Sequence, residues 1–250
     1  MRTAIGKRIF VAGASGVIGR RMCRMLVADG HTVTGTARGS EKVGMLQQLG
    51  IEPVVVDVFD ADRLCAVLVE SQADIVIHQL TDLPPGLDPS RMVEARIRNA
   101  RLRETGTKNL VAAAIAAGVR RVVAQSIAFA YAPGPMPFDE SAALNVAATD
   151  EASALSARAV ASLEQQVLGG PFDGIVLRYG KLYGPGTGFD VPPPGGPVHV
   201  DAAADAARRA VSLGEPGIYN VAEEDGTVSS AKARAVLEWS PAFRMESGEG

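Results

Sequence analysis

Val11-Ala12-Gly13-Ala14-Ser15-Gly16-Val17-Ile18-Gly19 decides the fold. Before it lies a short apolar run, residues 8–12; after it Ile18, Met22, Met25 and Leu26 form a helical stripe that closes at Asp29-Gly30. A strand thus passes through a glycine-rich turn directly into a helix. Gly13 permits the tight turn, Gly16 lets backbone approach a diphosphate, and Gly19 lets the helix lie close on the strand. The helix N-terminus adds unpaired N–H groups and a partial positive charge. The pattern predicts a dinucleotide cleft with Gly13, Ser15, Gly16, Val17, Ile18 and Gly19 around the phosphates.

Working outward, further apolar, β-branched runs occupy residues 32–36, 53–56, 74–78 and 119–125. They are near-continuous rather than alternating, as for strands covered on both faces of a parallel sheet. Residues 60–71 and 102–117 between them have helical character. The alternation predicts an α/β fold, a doubly wound, Rossmann-like parallel sheet. Beyond Ser126 the pattern loosens into a Pro/Gly loop at 132–137, a helix at 151–168 and a strand at 174–179. The Gly- and Pro-dense run 184–197 reads as loop, followed by a strand and helix within 198–213, a strand at 217–221, a helix near 229–237 and a frayed end at 246–250.

The 250 residues fit one dinucleotide-binding domain, 1–250, in which about 181–197 and 217–250 form a small, abbreviated C-terminal substrate lobe. A hydrophobic content of 47% and a charged content of 21% are those of a globular chain. The net charge of −3 gives no electrostatic reason to expect nucleic acid or an acidic membrane surface. The arginines between Arg91 and Arg103 read as the solvated face of a helix. Cys23 and Cys65 have no neighbours at metal-ligand spacing, so neither a disulfide frame nor a metal site is expected. Residues 1–7 lack the apolar run of a signal peptide and no stretch approaches membrane-span length, so the expected location is the cytoplasm.

The second strand should end beside the adenosine ribose, where an NAD-preferring site commonly carries an acid. Here stands Thr36-Ala37-Arg38-Gly39-Ser40, without a carboxylate. Arg38 can pair with a 2′-phosphate and Ser40 can add a hydrogen bond, which favours NADP(H) over NAD(H). The alternative for Arg38 is a solvated strand-end arginine. Asp57, after the third run, suits adenine's amino group or, equally, a helix cap.

With these residues in view, the chain resembles the extended or atypical short-chain dehydrogenase/reductase superfamily, the NAD(P)-dependent epimerase/dehydratase group, over nearly its whole length. Besides Gly13-x-x-Gly16-x-x-Gly19, the resemblance is carried by Ala73-Asp-Ile-Val-Ile-His78 and by Gly106-Thr107-Lys108-Asn109-Leu110 with Ala116-Ala117-Gly118-Val119. It continues through Leu177-Arg178-Tyr179-Gly180-Lys181-Leu182-Tyr183-Gly184-Pro185-Gly186, His199-Val200-Asp201 and Trp239-Ser240-Pro241. It implies that Val58, Gln79, Leu80, Thr81 and Tyr179 also line the cofactor.

Members that perform hydride chemistry use a Tyr-x-x-x-Lys pair on the helix after the fifth strand, with a Ser or Thr at that strand's end. Ser126 fits the serine position, but alignment on Ala161-Ser162-Leu163-Glu164 puts Ser156 at the tyrosine place and Val160 at the lysine place. The acid/base pair is missing. Tyr131 and Lys181 are the candidate substitutes, and Arg103, standing where the family often has asparagine, reads as a substrate anchor or a helix-surface charge. His31, His78 and His199 read as structural, with no Ser-His-Asp triad.

Three functions remain open at this level. The first is an oxidoreductase passing hydride between NADP(H) and a small carbonyl or alcohol, with Ser126 on the carbonyl oxygen and Tyr131 or a water relaying the proton. The second is a catalytically silent NADP(H) sensor resembling the NmrA-like proteins, and the third a non-redox isomerase or lyase. The resemblance also implies a homodimer through the helices at 102–117 and 151–168.

Overall fold

A computed structural model describes residues 6–245; the expected fraying at 246–250 lies outside them. Seven strands form one sheet: β1 (Arg8–Ala12), β2 (Thr32–Ala37), β3 (Glu52–Val55), β4 (Ile75–His78), β5 (Arg121–Ile127), β6 (Asp173–Tyr179) and β9 (Gly217–Val221). Their order is β3-β2-β1-β4-β5-β6-β9 and every pairing is parallel. The chain winds outward one way from β1 to β3, then returns to place β4 on β1's other side. That reversal opens a crevice at the carboxyl ends of β1 and β4. Two further strands, β7 (Lys181–Tyr183) and β8 (Pro197–His199), pair with each other in a separate small sheet.

Period-two alternation sends successive side chains of each strand to opposite faces, and both faces are dry. On one side Ile9 and Val11 of β1 pack with Ile18, Met22 and Leu26 of α1 (Val17–Ala28). On the same side lies α7 (Val200–Arg209), whose alanines are buried and let it lie close. On the other side Phe10 and Val76 meet Leu64 and Leu68 of α3 (Ala61–Ser71), Leu110 of α5 (Thr107–Ala116) and Leu163 of α6 (Glu151–Leu168). Burying side chains of this size contributes about 1.5–3 kcal/mol each, which is why the β-branched runs predict the sheet so well.

Three differences from the sequence expectations matter. The helix expected at 102–117 begins earlier: α4 (Met92–Arg101) runs through a π turn, Leu102–Gly106, into α5. Its arginines leave only a thin apolar stripe at Ala95 and Ala100, too faint to read in advance. A short α2 (Val43–Gln48) follows β2. Finally, β9, expected within a reduced substrate lobe, joins β6 as the edge of the main sheet, and α8 (Ala231–Val236) follows it. The Trp239 indole N–H donates to the Ala202 carbonyl at 2.8 Å, which ties the segment after α8 to α7. Among the described residues no helix is long and apolar enough to cross a membrane.

Candidate functional site

The crevice is a cleft of about 820 Å³ along the carboxyl ends of β1, β2, β4, β5 and β6. A second depression, about 540 Å³ near Gly118 and Phe172, lies at the opposite ends of the strands. Ligands of open α/β sheets bind at the carboxyl ends, so the first is the candidate site.

Its floor is the turn between β1 and α1. Gly13 has φ +95°, and a Cβ there would lie 2.7 Å from the Gln79 carbonyl, so only glycine fits. Its amide donates to Thr36 Oγ1 at 3.2 Å. A Cβ on Gly19 would stand 2.2 Å from the Gly13 carbonyl oxygen, so its absence lets α1 lie against the turn. Gly16 is the N-cap of α1, with no side-chain cap and no acid in the first turn. The helix therefore presents its positive end and free amides to the cleft.

At the adenosine end the cleft is bordered by Arg38, Glu41, Lys42, Asp57 and Val58. Arg38 lies 3.6 Å from Asp82, and its side chain is 71% exposed, free to turn toward a phosphate. Ser40, expected to support a 2′-phosphate, is not on the cleft wall; it opens a short 3-10 turn, Ser40–Lys42, that brings Lys42 there instead. The spacing Arg38-x-x-x-Lys42 is the signal that could have found it. Asp57 accepts from the Phe59 amide at 2.9 Å, while Asp60 caps α3 through the Arg63 amide, so Asp57 is not the helix cap.

Gln79, Leu80, Thr81 and Tyr179, at the carboxyl ends of β4 and β6, are on the wall. Gln79 Nε2 donates to the Tyr179 hydroxyl at 3.2 Å, and burial holds that phenol well above its ordinary pKa. Gln79 Oε1 is buried without a partner among the described residues. An orphaned acceptor in such a place fits a hydrogen-bond donor arriving with a ligand. Together, the glycine cradle, the uncapped helix and this acceptor fit a dinucleotide.

The expected proton-handling residues do not converge there. Ser126 is fully buried and its hydroxyl donates to Glu164 Oε1 at 2.7 Å, away from the cleft. Alternation along β5 puts Gln125 and Ile127 on the cleft instead, and Ile127 has no hydroxyl. Tyr131 is likewise off the wall: its hydroxyl donates to Asn220 Oδ1 at 2.5 Å and accepts from Arg178 Nη1 at 3.0 Å. Burial raises its pKa, though Arg178 and Asn220 oppose the rise. Lys181 does border the cleft, but its ammonium donates to the Pro194 carbonyl at 2.7 Å and pins the 184–197 loop. Ser156 is on the wall, and Val160 is fully buried against Ile127.

Behind that wall Arg178 makes a paired contact with Glu164, Nε to Oε1 at 2.8 Å and Nη2 to Oε2 at 2.7 Å. This pair ties α6 to β6, with Ser126 and Tyr131 as further partners. His78 is satisfied too. Its Nδ1 accepts from the Leu80 amide and its Nε2 bonds Thr107 Oγ1 at 3.0 Å, so the proton sits on Nε2. Burial, then the nearby Arg103 charge, lowers its pKa from 6.5 to about 4, which keeps it neutral.

The sequence profile of the NAD(P)H-binding family matches residues 13–188. Among characterised proteins, the chain is 41% identical over 238 residues to a 3-diazoavenalumate denitrifying reductase of a Streptomyces species, covering 87% of this chain and 76% of the relative. It is 34% identical over 130 residues to cinnamoyl-CoA reductase 1 of Petunia hybrida, covering 49% of this chain and 36% of the relative. Among solved structures, UDP-glucose 4-epimerase of Thermotoga maritima with UDP-glucose superposes with a TM-score of 0.75 at 17% identity, covering 94% of each chain. The Thermus thermophilus UDP-glucose 4-epimerase complex with NAD gives 0.74 at 20% identity, covering 95% of each. At such identities these two structures show the shared fold alone.

Proposed function

Since the chain belongs to the NAD(P)H-binding family, within the epimerase/dehydratase-like short-chain dehydrogenase/reductases, we propose that it is an NADP(H)-dependent reductase of a small electrophile, with an aromatic diazo compound as the favoured class. One observation carries this: the reacting end of the cleft presents Ile127 and Ser156, with Val160 buried behind, where a proton relay would stand.

When bound, the dinucleotide supplies a hydride. The chain's own residues bind and orient it. The free amides at the start of α1 would hold the diphosphate, Arg38 and Lys42 would take the 2′-phosphate, and Gln79 Oε1 would accept from the nicotinamide half. Reducing a ketone leaves an oxyanion that needs a proton, and general-acid help there contributes typically about 10²–10⁴-fold. A diazonium group needs none. Hydride adds to its terminal nitrogen, giving Ar–N=N–H, and this loses N₂ while its hydrogen ends on carbon as Ar–H. A wall that lacks the Tyr-x-x-x-Lys pair suits such an acceptor, and the Streptomyces relative's name is that of a reductase of a diazo substrate.

A silent NADP(H)-binding sensor is the second reading, favoured by the same missing relay. Turnover separates the two. With 4-carboxybenzenediazonium, NADPH absorbance should fall with release of N₂ above the enzyme-free rate, while cinnamaldehyde should react at least about tenfold more slowly. NADH should be at least about tenfold poorer, the contribution of a charge-assisted contact to a 2′-phosphate. Aldehyde reduction with no diazonium turnover would overturn the substrate class. Binding without consumption of either would favour the sensor.

A further inference from the structure

The helix from Met92 to Ala116 is interrupted by the π turn Leu102–Gly106, and Arg103 is the second residue of that turn. A π turn adds one residue to a helical turn and so changes the direction in which its side chains leave the axis; such turns recur at functional sites. Close packing accompanies it, because a Cβ on Gly106 would lie only 3.0 Å from Leu102 Cδ1 and 3.2 Å from Val58 Cγ1. Arg103 ends up 8% exposed and on the cleft wall beside Ser156.

Its surroundings are unusual for a buried cation. Among the described residues its side chain makes one hydrogen bond, to Ser156 Oγ at 3.4 Å, which is long for a guanidinium, and it has no ion pair. Glu164 is close enough to favour its charge, but both oxygens of Glu164 are taken by Arg178 and Ser126. Burial lowers the Arg103 pKa to about 10, so the group is still a cation at neutral pH. A buried charge without a partner is destabilising, and such groups are normally paired. Here the other side of the guanidinium is the cleft.

The dinucleotide's diphosphate is not the missing partner, because the free amides of α1 on the cleft floor would serve it. The cleft wall that carries Arg103 also carries the apolar side chains of Ile127, Phe129, Leu83 and Phe189. The last three are 50%, 39% and 43% exposed, large apolar side chains left uncovered. From the unpaired guanidinium and these walls, we propose that Arg103 binds the carboxylate of the substrate, which is a small aromatic or conjugated acid. The proposal rests on the reading that this end of the cleft receives the hydride acceptor.

The probe is trans-cinnamate, compared with the uncharged cinnamamide, measured by calorimetric titration and thermal shift with and without saturating NADP⁺. The proteins are the wild type, Arg103→Met and Arg103→Lys. Cinnamate is expected to bind the wild type at least about tenfold more tightly than the amide. Arg103→Met should erase that difference, Arg103→Lys should keep part of it, and NADP⁺ affinity should change by less than about threefold in both. The ligand-free Arg103→Met protein should melt no lower than the wild type, since it has lost an unpaired buried charge. Equal binding of acid and amide by the wild type, or no binding of either, would overturn the proposal. So would an Arg103→Met protein that keeps the preference but loses NADP⁺ affinity, which would assign the guanidinium to the nicotinamide ribose. A wild type that ignores NADP⁺ yet separates acid from amide through Arg103 keeps the anchor and removes the cofactor reading.

Discussion

Gly16→Asp is expected to weaken NADPH binding by at least about a hundredfold while leaving the protein as stable as before, or slightly more so. The two effects separate because of where Gly16 sits. Its φ of −72° is ordinary for any residue, and an added Cβ would meet only the Gly13 carbonyl oxygen, at 3.3 Å. Aspartate is among the best N-caps, and α1 has no side-chain cap at present. The new carboxylate would occupy the amides that the diphosphate needs and repel it as well. Losing charge-assisted bonds of about 1.5–3 kcal/mol each, with like-charge repulsion added, accounts for the expected hundredfold. Gly19→Ala could not make this distinction, because its Cβ would fall 2.2 Å from backbone and disturb the turn itself. Fluorescence titration and a melting curve on the same sample check both halves. An unchanged affinity would mean that α1 does not hold the cofactor.

Arg178→Met is expected to do the opposite, lowering stability by about 3–5 kcal/mol. The Arg178 and Glu164 side chains are 4% and 6% exposed, so removing the guanidinium strands a carboxylate in a dry interior. Burial alone would lower the Arg178 pKa, but the Glu164 hydrogen bonds outweigh it and hold the pKa above its usual value. Tyr131 loses a donor at the same time. For a chain of this size, the expected loss in melting temperature is about 6–20 °C. The double variant Arg178→Met/Glu164→Leu should recover most of it, since an apolar pair can replace a buried ion pair at little cost. Denaturant titration of the single and double variants checks this. A loss under about 1 kcal/mol in the single variant would show that the pair is not what fixes α6 to the sheet.

The same residues show what was legible in the sequence. The sheet could be read because its strands are buried on both faces and so appear as unbroken β-branched runs, and the cradle because only glycine fits at Gly13 and Gly19. Residues placed by the backbone at the strand ends, namely Gly13, Ser15, Gly16, Val17, Ile18 and Gly19 after β1 and Gln79, Leu80 and Thr81 after β4, reach the cleft. Residues that act through a side chain were harder. Ser126 is one position from Ile127, and a shift of one residue along a strand exchanges the cleft for the interior. Tyr131 is engaged by Asn220 and Arg178, 89 and 47 residues away, partners that no local pattern reveals. Ser40 gave way to Lys42 because a 3-10 turn sets which side chain reaches back. For Arg103 the sequence leaves a substrate anchor and a helix-surface charge both open, since a π turn has no signature in a run such as Arg101-Leu-Arg-Glu-Thr-Gly106.

The most direct measurement is a titration of the wild-type protein with NADPH, followed by nicotinamide fluorescence. A saturable enhancement, complete at about one equivalent and with a Kd below roughly 100 µM, is the expected result. Fluorescence that never saturates, with NADH behaving the same way, would mean that the glycine turn and Arg38 hold no dinucleotide.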